Sequence, residues 1–223
     1  MTDPSVLVAC PAYWGTAYSL PDWVDAYRAF TYENRGALQV DNSEDNLDYL
    51  HAVRRHGIDA IYAPRQFPWL WDTMELSWRV ICEYAHDNGY DLIASIEADI
   101  IAPPHALDVL VGEWRRSGPD VVVSHRYRPR RYDESIDLPD LFEKTEWIET
   151  LGCVLFPTDL LYESRDRWTD IVERELYAQA ESRGYVHISL ADVLKLDHLT
   201  DPNRGLTMVH REGSRDLLSG GNP

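Results

Sequence analysis

Lysine is almost missing from this chain: of 21 basic residues only Lys144 and Lys195 are lysines, against 38 acidic residues. The resulting formal charge of −17 argues against a surface that generally attracts nucleic acid or anionic lipid, and only a local basic patch would override it. Acid excess with few lysines fits a protein soluble at high salt, although a GC-rich genome would favour arginine in the same way. No run of about 18 apolar residues occurs, so no transmembrane segment is expected. The N-terminus has no basic stretch leading into an apolar one, so no signal peptide is expected and the chain reads as soluble and cytoplasmic. Cysteine is scarce too. Cys10, Cys82 and Cys153 are scattered without metal-type spacing in apolar surroundings, which points to buried thiols. With 223 residues the chain has room for one sizeable α/β domain, expected over 1–210, followed by a weakly ordered polar tail over 211–223.

What is present centres on one stretch, Asn88-Gly-Tyr-Asp-Leu-Ile-Ala-Ser-Ile-Glu97-Ala98-Asp99-Ile-Ile-Ala-Pro103-Pro104. A turn signal, an apolar run, two carboxylates one residue apart and two prolines predict a buried strand that ends abruptly at a polar site. In a strand Glu97 and Asp99 share a side. Two such carboxylates repel each other and lose hydration, so a cation is expected beside them, and a divalent metal is the simplest one.

Glu97-Ala98-Asp99 with the following prolines resembles the Asp-x-Asp region of GT-A-fold glycosyltransferases, where a metal holds the diphosphate of a nucleotide-sugar donor. It departs from the common pattern in having Glu first. Other segments fall in an order that is similar to that family. Ser5 to Pro11 is a short apolar strand stopped by proline, and the resemblance makes Pro11, Ala12 and Tyr13 contacts of the nucleoside; Tyr13 and Trp14 either stack on a base or simply pack. Trp23, Val24, Tyr27 and Phe30 have helical spacing, with Gly36 as an end signal. Ala37 to Val40 then runs into Asp41, which resembles the family's second-strand aspartate that bonds the base or ribose. Asn42 and Ser43 are expected to cap a helix starting near Glu44.

A helix carrying Leu47, Leu50 and Val53, a strand over 58–62 and a helix over 74–88 follow. The aromatic tract Phe67-Pro-Trp-Leu-Trp71 before the last of these reads as a lid, an acceptor platform or a core plug. Arg79 stands where related enzymes carry an Arg or Asn; it would bind a phosphate or carboxylate, or form a surface salt bridge. Ala106 to Trp114 predicts a helix stopped by Gly118, and Asp120 to Ser124 a strand. The basic stretch holding Arg126, Arg128, Arg130 and Arg131 is either a solvated loop or a contact for an anionic donor or acceptor.

Leu151-Gly152-Cys153 resembles the glycine segment that crosses the active site in GT-A enzymes, so Gly152 is expected beside the donor sugar. Glu173 falls nearest the general base of inverting members, with Glu175 as the alternative; the helix dipole alone would also favour acids there. Residues 186–199 read as a strand pair ending in Asp197-His198. The resemblance implies that His198 completes the metal shell with Asp99 and, directly or through water, Glu97; His187 and His210 fit less well. Imidazole beside oxygens suits Mn2+ better than Ca2+, and Mn2+ or Mg2+ is the expected cofactor.

The expected fold is a single Rossmann-like GT-A domain, α/β, mostly parallel with helices on both faces. The expected activity is metal-dependent, inverting transfer of a hexosyl group from a UDP- or GDP-sugar to the hydroxyl of a glycan, lipid, protein or modified nucleobase. A nucleotidyltransferase is the rival enzyme, although residues 11–16 lack the Gly-rich, Arg/Lys-bearing loop such enzymes carry. A non-catalytic nucleotide- or carbohydrate-binding protein is the other alternative.

Overall fold

The computed structural model describes residues 3–44, 47–64, 70–125, 151–165, 172–190, 194 and 196–199; of residues 70–72, 172–175 and 198 only the backbone is described. The basic stretch 126–131, the segment Phe67 to Trp69 and His210 therefore lie outside the described residues. A seven-stranded sheet carries the domain, in the order β3-β2-β1-β4-β7-β6-β8. Its strands are β1 (Val6–Ala12), β2 (Arg35–Asp41), β3 (Asp59–Tyr62), β4 (Leu92–Ile96), β6 (Val121–Ser124), β7 (Cys153–Pro157) and β8 (Val186–Ser189). A two-stranded ribbon, β5 (Ile100–Ile101) with β9 (Asp197–His198), stands beside it.

Strand pleating sorts the apolar residues into two cores. Val6, Val8, Cys10 and Ala12 of β1 join Leu92, Ala94 and Ile96 of β4 under helices α1 (Leu20–Ala29), α2 (Asp48–Arg55) and α4 (Ala106–Ser117). Leu7, Ala9 and Ile93 point the other way, toward α3 (Leu70–Asp87), α5 (Thr158–Ser164) and α6 (Val172–Ser182). The expected α/β sheet with helices on both faces is what forms. Helices α2 and α4 stop where Gly57 (φ 73°) and Gly118 (φ 104°) supply left-handed backbone.

Several local expectations are corrected. Pro11 does not end β1: beyond Ala9 the strand pairs only with β2, so the proline needs no partner on its β4 side and the strand runs on to Ala12. Helix α1 ends at Ala29, and Gly36 lies inside β2. Its role is close approach, since a Cβ there would stand 2.0 Å from the Tyr90 hydroxyl. Gly36→Ala is expected to lower stability by about 1–3 kcal/mol through this overlap. Thermal unfolding checks it, and Tyr90→Phe in the same chain should recover part of the loss. Helix α3 starts at Leu70, absorbing the end of the aromatic tract. Strands β8 and β9 do not pair with each other: β8 joins β6 in the main sheet and β9 joins β5.

One strand runs against the rest. β7 is antiparallel to both β4 and β6, whereas β1, β2 and β3, like β1 and β4, and β6 and β8, pair in parallel. The end of β6 and the start of β7 consequently meet at the sheet's carboxyl edge, where the His125 amide donates to the Cys153 carbonyl at 2.9 Å.

Candidate active site at the carboxyl edge of the sheet

Strand β4 stops at Ile96, so Glu97-Ala98-Asp99 is a turn rather than strand, closed by the Ile100 amide donating to the Glu97 carbonyl at 2.9 Å. The two acids still emerge together. Glu97 and Asp99 are half-buried while Ala98 between them is buried, and both carboxylates act on one group, the Cys10 thiol at the end of β1. Burial first, then the Glu97 and Asp99 charges, push that thiol well above its ordinary range, which makes Cys10 an inert floor and not a nucleophile.

Three distant segments fix the backbone of this turn. The Trp23 indole donates to the Ile96 carbonyl (3.2 Å), and the Ser19 hydroxyl lies 2.8 Å from the Ala98 carbonyl. The Glu97 amide donates to the Gly152 carbonyl (3.1 Å), which places the Gly152 backbone against the acidic turn. The Leu199 amide donates to the Asp99 carbonyl (2.8 Å), and β9 pairs Ile100 with His198. The ribbon thus brings the backbone of His198 beside Asp99 across about 100 residues of sequence; the imidazole lies outside the described residues. Among the described residues no three His, Cys, Asp or Glu side chains converge as a metal site. Two half-buried carboxylates held on one rigid turn are nevertheless a hard-oxygen donor pair of the kind Mn2+ or Mg2+ takes.

Beside the acidic turn lie the ends of β1 and β2, which pair Pro11 with Val40 and Ala12 with Asp41. Asp41 is fully buried; one carboxylate oxygen accepts the Ser43 amide (2.9 Å) and the other the Leu50 amide in the first turn of α2 (3.0 Å). Asp41 therefore does the capping expected of Asn42 and Ser43. Those two do other work: α2 begins at Asp48, the Asn42 amide nitrogen lies 3.3 Å from the Ser77 hydroxyl, and Ser43 Oγ accepts the Trp14 amide at 2.8 Å. No signal in the sequence pointed to a cap arriving from nine residues upstream. In the tight turn Trp14–Thr16, the Tyr13 ring covers Gly15, where a Cβ would fall 2.2 Å from it, and Trp14 stands 51% exposed.

On the other half of the sheet, α6 runs back along β8, so its first turn starts at the same carboxyl edge. Tyr177 on α6 packs against His187 of β8 with ring centroids 4.9 Å apart, and His187 Nε2 is 2.6 Å from the Ser124 hydroxyl. Position 173 lies one helical turn before Tyr177 and hence on the sheet side of α6, whereas position 175 falls on the far side. The side chains of Glu173 and Glu175 lie outside the described residues. Arg79 on α3 forms an ion pair with Glu75 one turn earlier, at 2.7 Å.

No protein-family model matches the chain, and no curated protein sequence does. Solved structures do match. A mannosyltransferase from Pyrobaculum calidifontis, in complex with GDP-Man and Mn2+, superposes with a TM-score of 0.62 at 19% identity, over 86% of this chain and 56% of that one. This chain thus spans just over half of the mannosyltransferase's length. Glucosyl-3-phosphoglycerate synthase from Mycobacterium tuberculosis, with Mn2+, uridine diphosphate and glucosyl-3-phosphoglycerate, gives 0.57 at 16% identity over 89% of this chain and 73% of that one. A 4-diphosphocytidyl-2C-methyl-D-erythritol synthase gives 0.59 at 14% identity, over 89% and 94%. At such identities the likeness speaks for the fold alone, and glycosyltransferases and nucleotidyltransferases share it. The superpositions show a GT-A-type α/β fold, and that is the fold of this chain.

Proposed function

We propose that the protein is a glycosyltransferase that moves a sugar from a nucleoside diphosphate to an acceptor hydroxyl, with inversion. The observation that carries this reading is the acidic turn: Glu97 and Asp99 are presented together at the sheet's carboxyl edge on a backbone anchored by α1, Gly152 and β9. Asp99, His198 and Glu97 would hold Mn2+ or Mg2+, which when bound neutralises charge on the departing diphosphate. Pro11, Ala12 and Tyr13 form the wall for the nucleoside, and Asp41 shapes the loop that closes it. Ala98 and Gly152 keep the backbone close to the sugar. Arg79 is the reserve cation on α3 for a phosphate, at the cost of its pairing with Glu75. Glu173 takes the acceptor proton as the anomeric carbon is attacked from the opposite side, with Glu175 in second place.

The loop after β1 supports this reading over a nucleotidyltransferase. Residues 13–19 contain no Arg or Lys, and the Trp14–Thr16 turn is closed on itself by the Thr16 amide and hydroxyl, both 2.8 Å from the Tyr13 carbonyl. A triphosphate substrate would find no cation there. Incubation with UDP- and GDP-sugars and Mn2+ is expected to release free UDP or GDP, slowly to water and faster with acceptor. Release of pyrophosphate from a sugar phosphate and a nucleoside triphosphate would instead establish the nucleotidyltransferase, and neither product would leave a binding protein. Among the described residues no helix is long and apolar enough to cross a membrane.

A further inference from the structure

Ser19 occupies the N-cap of α1, a position where serine ordinarily turns its hydroxyl onto the helix's own first amides. Here the hydroxyl makes no capping bond. It is fully buried and lies between two carbonyls, 2.7 Å from that of Thr16 and 2.8 Å from that of Ala98. One hydroxyl has one hydrogen to give, so it is shared between the loop after β1 and the middle residue of the acidic turn. The Ser19 amide also donates to Thr16 (3.1 Å), so the residue is clamped to the loop through its backbone and reaches the turn through its side chain. A local preference given up in favour of a distant contact marks a site where structure serves a task other than helix stability. Of the bonds on the acidic turn, this one falls on the carbonyl between the two acids.

We infer that Ser19 is a positioning residue for the cation site. By fixing the Ala98 carbonyl it sets the separation and aim of the Glu97 and Asp99 carboxylates, and it ties that geometry to the loop against which the nucleoside lies. The inference rests on the metal-dependent reading above and adds Ser19 to it as a residue that sets the ion's affinity. Removing the hydroxyl lets the turn relax, which spreads the carboxylates and weakens the ion's hold in the way that loss of an outer-shell hydrogen bond does.

The test is Mn2+ binding to the whole chain, read from the loss of the free-ion EPR signal, with and without UDP. Ser19→Ala is expected to raise the Mn2+ dissociation constant by about 10-fold. Val53→Ala, which empties core volume under α2, serves as the control for lowered stability: it should lose melting temperature yet bind Mn2+ as the native chain does. Native-like Mn2+ affinity in folded Ser19→Ala overturns the inference and leaves the metal-dependent reading standing, as does an equal loss in Val53→Ala. Absence of Mn2+ binding by the native chain overturns both.

Discussion

Asp99→Ala is expected to cut glycosyl transfer by about 100-fold or more, the rate equivalent of about 3 kcal/mol of charge stabilisation at the leaving diphosphate. Asp99 is the acid whose carbonyl is bonded to Leu199, so it sits where the acidic turn and the β5–β9 ribbon meet. Its carboxylate is the metal donor that the proposed function places at that junction. Glu97→Ala should cost less, since in the proposed shell Glu97 reaches the ion directly or only through water. The same Asp99 variant should lose the rise in melting temperature that UDP or GDP gives in the presence of Mn2+, because ligand stabilisation scales with affinity for the native state. An Asp99→Ala protein that keeps both native turnover and native Mn2+-dependent stabilisation would remove the acidic turn from the site.

The second large effect belongs to the other half of the sheet. Glu173→Gln is expected to lower kcat by about 100-fold to 10,000-fold, the range that a general base supplies. KM for the nucleotide sugar should barely move, because the proposed nucleoside wall at the ends of β1 and β2 lies on the other half of the sheet from β8 and α6. Glu175→Gln should lose far less, since its position on α6 falls opposite that of Tyr177, which packs on the sheet. Steady-state rates for the two variants decide the assignment. A larger loss in Glu175→Gln would exchange their roles; native rates in both would exclude an inverting base on α6.

The parts of this fold that could be read in advance are those written in local chemistry. The alternation along Val6 to Ala12 and Leu92 to Ile96 sets two buried faces, and Gly57 and Gly118 stop helices because they tolerate positive φ. The acidic pair stood out because two carboxylates so close to a buried strand need a partner. What could not be read depends on where distant segments return. A buried strand has the same apolar pattern in either direction, so the reversal of β7 leaves no mark in Cys153 to Pro157. Asn42 and Ser43 looked like caps by type and place. Asp41 took that work because β2 carries it to within 3.0 Å of the Leu50 amide, a distance no local rule contains. Likewise Glu97 and Asp99 share a side through a pinned turn and not through strand alternation. Ser19 and Trp23, which do the pinning, looked like parts of an ordinary amphipathic helix and its entry.

A crystal soaked with Mn2+ and UDP, with diffraction recorded at the manganese absorption edge, puts the account to its most direct test. An anomalous peak bonded to an Asp99 carboxylate oxygen and to the diphosphate, with His198 in its shell, is the expected result. UDP seated at the ends of β1 and β2 with no anomalous peak at Asp99, or a peak elsewhere on the chain, would contradict it.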